Sequence, residues 1–371
     1  MKNKTIRYKI SGIENKVTFC LDTEATDISS DMSRLLTDKK ILLVVDKRIN
    51  PQVIKNIFKD LSHSDFDIKF LMVDGSKNNK TQKTLFKIIN ECIRNKFTKK
   101  SLILSCGGGV VGDVCALASS LYLRGLIYFH IPTTMTAIVD SCIGGKTGIN
   151  YKRIINSLGN YYHPKNVFIS KNIISTIPQR DYIAGFSEII KSGCLQDNKI
   201  FDLLNKNKSR LMKRDFKILS KIIFLTLKTK INFFKNDVYE NSKRLNLNFG
   251  HTFAHAIEMA LPSKKDDIIR HGEAVGIGLL CEIFYCEGKS KNFNLVKGLL
   301  LKYRLPTNIK KFTKIKNKNK LIKRIYENIF LDKKRINKFP RAIDIKNFNK
   351  PKVIEMKNNH RIMETLETVV F

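Results

Sequence analysis

The clearest pattern along the chain is a set of short, uninterrupted apolar runs separated by longer amphipathic stretches. Residues 41–46 (Ile-Leu-Leu-Val-Val-Asp) read as a buried strand closing on an acid, Ile68 to Asp74 as a second, and Leu102 to Cys106 as a third. Ile127 to Ile131 and Val167 to Ser170 supply further short strands. A short apolar run without polar alternation fits a strand buried on both faces, as parallel strands are beneath crossover helices. Between the runs, Lys80–Lys96 and Val110–Leu123 carry apolar residues at helical spacing. Strands alternating with helices predict a parallel sheet covered on both faces, with ligands at the carboxyl ends of the strands. From about Ile177-Pro178 onward the strand pattern largely ceases.

At 371 residues the chain is long enough for two domains with sizeable cores. Its net charge of +35 would ordinarily raise nucleic-acid binding first. The basic residues are mostly Lys, however, spread among Ile and Asn throughout, which reads as chain-wide compositional drift rather than a dedicated nucleic-acid stripe. The Lys- and Asn-rich segment from about Lys310 fits a solvated face or loose loop. A field of this sign still attracts anionic substrates. The eight cysteines are dispersed, form no C-x-x-C pair and mostly sit in apolar runs, so they read as small buried hydrophobes in a reducing compartment. No apolar run reaches the roughly 20 residues of a membrane span, and residues 1–5 lead into no apolar signal region, so the expected location is cytoplasmic.

Two glycine-rich turns and one histidine-bearing stretch carry chemistry. The third strand runs into Gly107-Gly108-Gly109-Val110-Val111-Gly112-Asp113, which fits G-x-G-x-x-G between a strand and a helix. Glycine lets the backbone approach a pyrophosphate, and the helix N-terminus supplies free N–H groups. The usual ribose-binding acid about twenty residues downstream is missing, and Asp46 and Asp74 at earlier strand ends could replace it. This leaves dinucleotide binding in an altered topology, or a glycine-rich structural turn. A second glycine-rich turn, Asp140 to Gly148, resembles the tail of a P-loop. A P-loop needs a glycine where Asp140 stands, so nucleoside-triphosphate hydrolysis is excluded. A turn with one Asp and one Lys suits an anionic, polyhydroxylated ligand; the alternative is a loop held by an Asx turn.

The histidine-bearing stretch is Asn248 to Glu258. His251 and His255 lie four residues apart, hence on one helical face, and His271 follows in His271-Gly272-Glu273-Ala274-Val275. The chain has only seven histidines, so this grouping points to a metal site with an adjacent acid/base histidine, against two histidines satisfied on a packed helix.

The order and spacing of GGGVVGD, PTT, VDSCIGGKTGIN, GFSEIIKSG, LNFGHTFAHAIE, HGEAV and DKK, from about Asp74 to Lys334, resemble the 3-dehydroquinate synthases among the sugar phosphate cyclases. The resemblance implies an α/β, Rossmann-like dinucleotide-binding N-terminal domain (residues 1–177) and a mostly α-helical metal- and substrate-binding C-terminal domain (residues 178–371). It implies NAD as cofactor and a divalent metal, zinc first and cobalt as an alternative, on Glu188, His251 and His271. Cofactor contacts are implied for Asp46, Asp74, Gly75, Lys80, Gly109, Val110, Val111, Gly112, Asp113, Thr133, Thr134, Lys146 and Thr176. Substrate contacts or catalytic roles fall on Arg124, Asp140, Lys146, Asn156, Lys191, Lys230, Arg244, Asn248, His255 and Lys333 (or Lys334). Of these, Lys146, Asn156, Arg124 and His255 are assigned to the phosphate, and Asp140, Lys191 and Asn248 to hydroxyls near the metal. Lys230, Arg244 and the Asp332-Lys333-Lys334 segment are candidates for the carboxylate or phosphate pocket.

The family reaction converts 3-deoxy-arabino-heptulosonate 7-phosphate to 3-dehydroquinate and phosphate, in aromatic amino-acid biosynthesis by the shikimate pathway. It passes through oxidation by NAD, phosphate elimination, re-reduction, ring opening and aldol closure. The resemblance also implies a homodimer, with no membrane or dedicated nucleic-acid partner.

The chain departs from the family pattern at three places. Ile155 stands where a lysine is usual, with Lys152 or Arg153 as possible replacements. The segment from Gly75 to Lys80 lacks a carboxylate and carries one extra residue. One acid is absent from Asp237-Val238-Tyr239-Glu240. Related cyclases, polyol dehydrogenases of the same fold, or a degenerate basic binding protein remain the alternative readings.

Overall fold

Ile41, Leu43 and Val45 face one side of their strand and Leu42 and Val44 the other, and all five are buried. This explains the unbroken apolar run: the strand is central and each face meets a layer of helices. A computed structural model of the protein describes residues 4–20, 26–62, 65–152, 154–196, 198–261, 268–313, 318–331 and 339–371. Its contacts divide the chain into two compact units, Met1–Pro178 and Gln179–Phe371.

The first unit contains strands β1 (Lys4–Ile10), β2 (Ile13–Cys20), β3 (Lys40–Asp46), β4 (Asp67–Val73), β5 (Leu102–Gly107), β6 (Ile127–Pro132), β7 (Ile149–Tyr151), β8 (Ile154–Leu158) and β9 (Asn166–Ser170). Its helices are α1 (Thr26–Leu35), α2 (Pro51–Ser62), α3 (Gln82–Arg94), α4 (Gly109–Leu121) and α5 (Lys171–Thr176). Seven strands form one sheet in the order β1-β2-β9-β6-β5-β3-β4, parallel except for β1, which pairs antiparallel with β2. Residues of α1 and α2 (Ile28, Met32, Val53, Ile57, Leu61) pack on one face, and residues of α3 and α4 (Leu85, Ile88, Val111, Val114) on the other.

The chain passes from β3 outward to β4, then crosses back to β5 on the far side of β3. That reversal is the topological switch point, where ligands bind in open α/β sheets. The glycine-rich turn therefore follows the third strand of the parallel unit. In the standard dinucleotide unit it follows the first, and the acid lies about twenty residues downstream. Here acids stand at the ends of the two preceding strands, Asp46 closing β3 and Asp74 following β4.

Two hairpins in this unit have no counterpart in the expected strands. The β1–β2 turn places Ser11 (φ 48°) and Gly12 (φ 80°) in left-handed geometry, which matches the twist of the strands it joins. Ile6, Tyr8 and Ile10 are the buried members of an alternating β1. β7 and β8 form a separate two-stranded ribbon.

The second unit contains α6 (Gln179–Ala184), α7 (Phe186–Leu195), α8 (Lys199–Lys206), α9 (Lys208–Met212), α10 (Phe216–Phe234), α11 (His251–Ala260), α12 (His271–Glu287), α13 (Lys291–Lys302), α14 (Lys318–Phe330) and α15 (Asn359–Thr365). A short ribbon of β10 (Arg341–Asp344) and β11 (Lys352–Glu355) is the exception to its helical character. α12 is the central element, buried continuously from Gly272 to Phe284 and packed on α7, α11 and α13. Glu282 on α12 is fully buried and accepts a hydrogen bond from the Ile343 backbone N–H at 2.8 Å, which ties β10 to this core.

Backbone closeness decides where α12 begins. A Cβ on Gly272 would stand 1.9 Å from the Ala184 carbonyl oxygen, and one on Gly278 would stand 1.9 Å from that of Gly250. Only glycine permits those approaches. Together they bring the first residue of α12, His271, beside α7 and the start of α11. Seven of the eight cysteines are buried and none is disulfide-bonded. No helix among the described residues is long and apolar enough to cross a membrane.

Candidate active site

In the second unit, α7 is buried along its whole length although it carries Glu188 and Lys191. Burying two opposite charges is tolerable only when they meet. Glu188 Oε2 lies 2.5 Å from Lys191 Nζ, one helical turn on, and the two side chains are 1% and 3% exposed. The Lys191 ammonium also donates to the Leu247 carbonyl at 3.0 Å. Glu188 Oε1 has no hydrogen-bond partner among the described residues. It faces His251 Nε2 at 3.7 Å and His271 Nε2 at 3.8 Å.

Ligand atoms held tetrahedrally about 2.1 Å from a zinc ion stand about 3.4 Å apart, so the carboxylate oxygen and each imidazole need to close by only a few tenths of an ångström. Two imidazoles and one carboxylate on a buried, orphaned oxygen fit a divalent ion and leave coordination positions for a substrate. His255 does not belong to this group; it falls in a second one with Glu258 and His271. The three rings still form one cluster, with centroids 5.4–6.0 Å apart.

A short helical turn, Lys243–Asn248, leads into α11. Asp237 organises the loop before it by accepting backbone hydrogen bonds from Asn241, Ser242 and Arg244 at 2.8–2.9 Å. Burial would raise its carboxyl pKa, but these donors hold it below the usual value. Glu240 Oε1 accepts from Asn248 Nδ2 at 2.6 Å, so both acids left in that segment are engaged. Arg244 is 1% exposed, lies over the Phe234 ring and donates to the Val238 carbonyl. Lys230, on α10, is 8% exposed. Buried cations on a chain this basic are unlike solvated surface lysines, and their burial separates Lys191, Lys230 and Arg244 from the background. Lys333 and Lys334 lie outside the described residues.

In the first unit, the glycine turn is closely packed by its neighbours. Cβ atoms on Gly108 and Gly109 would stand 3.0 Å from Thr134 Cγ2 and 3.1 Å from Ser141 Oγ. Val110, Val111, Gly112 and Asp113 form the first turn of α4. Val73, Thr84, Ile88, Val110 and Val111 pack closely together beside it. Thr133 continues β6, its N–H bonding the Gly107 carbonyl, and the Thr134 hydroxyl accepts from the Ala137 N–H.

Asp46 is 4% exposed and its Oδ1 accepts from the Gly75 N–H at 3.2 Å, while Arg48 grips Oδ1 and Oδ2 at 3.1 and 2.8 Å. A Cβ on Gly75 would collide with that carboxylate. Asp74 pairs with Lys47 and accepts from the Ser76 N–H, which holds its pKa at about 2. The extra residue between Gly75 and Lys80 is absorbed in a single helical turn, Lys77–Asn79. It delivers the Lys80 ammonium to Asp113 Oδ2 and Asn156 Oδ1, both at 2.5 Å.

Ile155 is 53% exposed on β8, and the Lys152 ammonium lies over the Tyr151 ring. Arg153 is outside the described residues. Among the described residues, the ammonium beside Asn156 is that of Lys80.

Asp140 lies in a wide, π-type turn, Ala137–Ser141. The turn carrying Lys146 is held by pairing with residues 158–163: Thr147 exchanges hydrogen bonds with Asn160, and Tyr162 N–H donates to the Gly145 carbonyl at 2.7 Å. Arg124 stands apart, in the exposed turn beyond the C-terminal end of α4, the length of that helix from Gly109. Thr176 ends α5 and its hydroxyl bonds the Ile173 carbonyl. Sequence reading gave no role to Glu240, Glu258 or the Leu247 carbonyl. Glu258 was signalled, since it lies three residues beyond His255 and seven beyond His251 on one helical face.

The fold is shared with two solved cyclases. One is 2-epi-5-epi-valiolone synthase from Streptomyces hygroscopicus, with NAD+ and Zn2+ bound (TM-score 0.80, 20% identity, 94% of this chain and 95% of that one). The other is 2-deoxy-scyllo-inosose synthase complexed with carbaglucose-6-phosphate, NAD+ and Co2+ (TM-score 0.82, 20% identity, 99% and 100%). This likeness defines the class of fold. Family models sharpen it: residues 70–184 match the 3-dehydroquinate synthase N-terminal model and residues 185–335 the C-terminal one. The 3-dehydroquinate synthase of Ruminiclostridium cellulolyticum is 32% identical over 333 residues, 89% of each chain. The chain belongs to the 3-dehydroquinate synthase family.

Proposed function

We propose that the protein converts 3-deoxy-arabino-heptulosonate 7-phosphate to 3-dehydroquinate and phosphate, as a carbon–oxygen lyase that uses NAD and a divalent ion, zinc or cobalt. The observation that carries this is the meeting of Glu188, His251 and His271 around an orphaned buried oxygen, on a chain matched by both family models. In the bound state NAD supplies a reversible hydride acceptor and the ion an electrophile for paired hydroxyls, so the cycle has no net redox.

The chain's own residues supply binding and order. Residues 1–177 are the NAD unit: the N-terminus of α4 would take the pyrophosphate, and Asp46 and Asp74 would flank the ribose end. Residues 178–371 are the metal and substrate unit. Glu188, His251 and His271 would hold the ion. Lys191 neutralises Glu188 and is placed to donate to a substrate hydroxyl alongside Asn248. Buried Lys230 and Arg244 suit anionic groups of the substrate. His255, beside the ligand cluster, is placed to bind the phosphate or move a proton. A reducing, cytoplasmic setting is supported by eight cysteines without a disulfide, and a homodimer by family membership.

The test is phosphate release from the heptulosonate phosphate with product identification, with and without NAD and zinc. Dehydroquinate formed by the wild type and lost in Glu188→Ala supports the reading. Turnover of a valiolone- or inosose-type substrate instead would move the chain to a sister activity, and no turnover with any metal would overturn the proposal.

A further inference from the structure

The two histidines of the candidate metal group are backed by different chemistry. Each turns Nε2 toward Glu188 Oε1, so each presents Nδ1 to a second partner. For His251 that partner is the Phe249 backbone carbonyl, at 3.1 Å. For His271 it is the Glu258 carboxylate, with Nδ1 3.0 Å from Oε2. A carbonyl and an ionised carboxylate only accept hydrogen bonds, so the proton of each neutral ring belongs on Nδ1 and the lone pair on Nε2, facing inward. The tautomers match but the strength of the support does not. A carboxylate behind an imidazole draws the Nδ1 proton toward itself and makes Nε2 a better donor to a cation than a neutral carbonyl does.

The placement of Glu258 is built in. It lies seven residues beyond His251, two turns along the same face of α11, and its side chain is 13% exposed. His271 is at the N-terminus of α12 and 31% exposed, so without a partner its ring would have room to rotate. His255 is the third member of the Glu258 group.

We infer that Glu258 is a positioning residue: it fixes the Nδ1–H tautomer and orientation of His271 and raises the strength of that ligand, giving the site one strong and one ordinary imidazole. This rests on the reading of Glu188, His251 and His271 as metal ligands. In this role Glu258 acts through His271 rather than as a ligand of the ion.

The experiment measures zinc and cobalt affinity of the full chain by competition with a chromophoric chelator, for the wild type, Glu258→Gln and Glu258→Ala. The visible spectrum of the cobalt form and the imidazole nitrogen shifts of the apo protein are recorded beside it. Gln keeps an acceptor but not the charge, and Ala removes both. The expected result is one ion per wild-type chain, affinity about tenfold weaker in Glu258→Gln, and weaker still in Glu258→Ala, toward a hundredfold. His271 should show the Nδ1–H form in the wild type and mixed tautomers in Glu258→Ala. A variant that fails to fold would show it in apo thermal unfolding, and Glu258→Gln, nearly isosteric, then carries the test. Unchanged affinity and tautomer in a folded Glu258→Gln and Glu258→Ala would overturn the inference. A second ion per chain that disappears with Glu258 would also overturn it, by making the residue a ligand. No binding by the wild type would instead overturn the metal reading itself.

Discussion

The region around Glu188, His251 and His271 and the glycine-turn region are both rich in buried polar groups, but they hold them in opposite ways. Around Glu188, the ion pair with Lys191 is closed while the second carboxylate oxygen has no hydrogen-bond partner among the described residues. Around the glycine turn, Asp46 is gripped by Arg48 and Gly75, Asp74 by Lys47 and Ser76, and Lys80 by Asp113 and Asn156. The first arrangement leaves a deficit that a cation would fill, since an orphaned buried acceptor costs about 1–3 kcal/mol. The second leaves no deficit, so a ligand there must exchange partners rather than fill a gap. Metal binding should therefore add to stability strongly, and cofactor binding more weakly.

The contrast is broken most severely at Glu188. Glu188→Ala is expected to abolish metal binding and turnover. It should also lower the stability of the metal-free chain by about 3–5 kcal/mol, because Lys191 stays buried without its counter-ion. Chemical denaturation with and without zinc checks both. Next is Gly278→Ala, which forces a methyl group onto the Gly250 carbonyl. A loss of about 3 kcal/mol with weakened metal binding is expected, and loss of stability without loss of metal would separate helix packing from ligand placement.

A pH measurement sharpens the other side. His130, 2% exposed under α4, has its ring against the Gly112 position and its Nδ1 2.7 Å from Ser105 Oγ. Burial pushes its pKa down to about 4. Above the unfolded value of about 6.5 the ring is neutral in both states and no stability is lost. As pH falls below that, the unfolded chain takes up a proton that the folded one refuses, so stability declines until about pH 4. The expected loss over that window is about 3 kcal/mol, and His130→Gln should flatten this part of the stability–pH curve.

Smaller effects test the exchange of partners directly. Lys80→Ala, which frees Asp113 and Asn156 together, should weaken NAD binding about tenfold, read by fluorescence titration. Ile155→Lys should change NAD affinity and turnover by less than about threefold, because Ile155 is exposed and Lys80 already supplies the ammonium beside Asn156. A tenfold gain would return the defect to Ile155.

The sequence was most legible where one physical rule acted alone. The unbroken apolar runs of β3 and β5 disclosed the parallel sheet, and the four-residue spacing of His251 and His255 disclosed a helical face. The β1–β2 hairpin was less visible because Arg and Lys sit between its apolar residues and the chain is Lys-rich everywhere. The partner of Asn156 could not be read at all, since Lys80 reaches it across seventy-six residues. Glu258 could have been read from its spacing, but what it faces depends on where α12 starts, and that is decided by backbone approaches at Gly272 and Gly278.

The buried cysteines have a kinetic consequence. Burial pushes the thiols of Cys92 and Cys106 up to about 12, so neither ionises nor meets reagent in the folded state. Cys106 lies on β5 of the first unit, and Cys194 and Cys281 lie on α7 and α12 of the second. A thiol-labelling time course followed cysteine by cysteine would thus clock the opening of each unit separately. Slower labelling of Cys194 and Cys281 in zinc would give the stabilisation by the ion as a rate, with no substrate present.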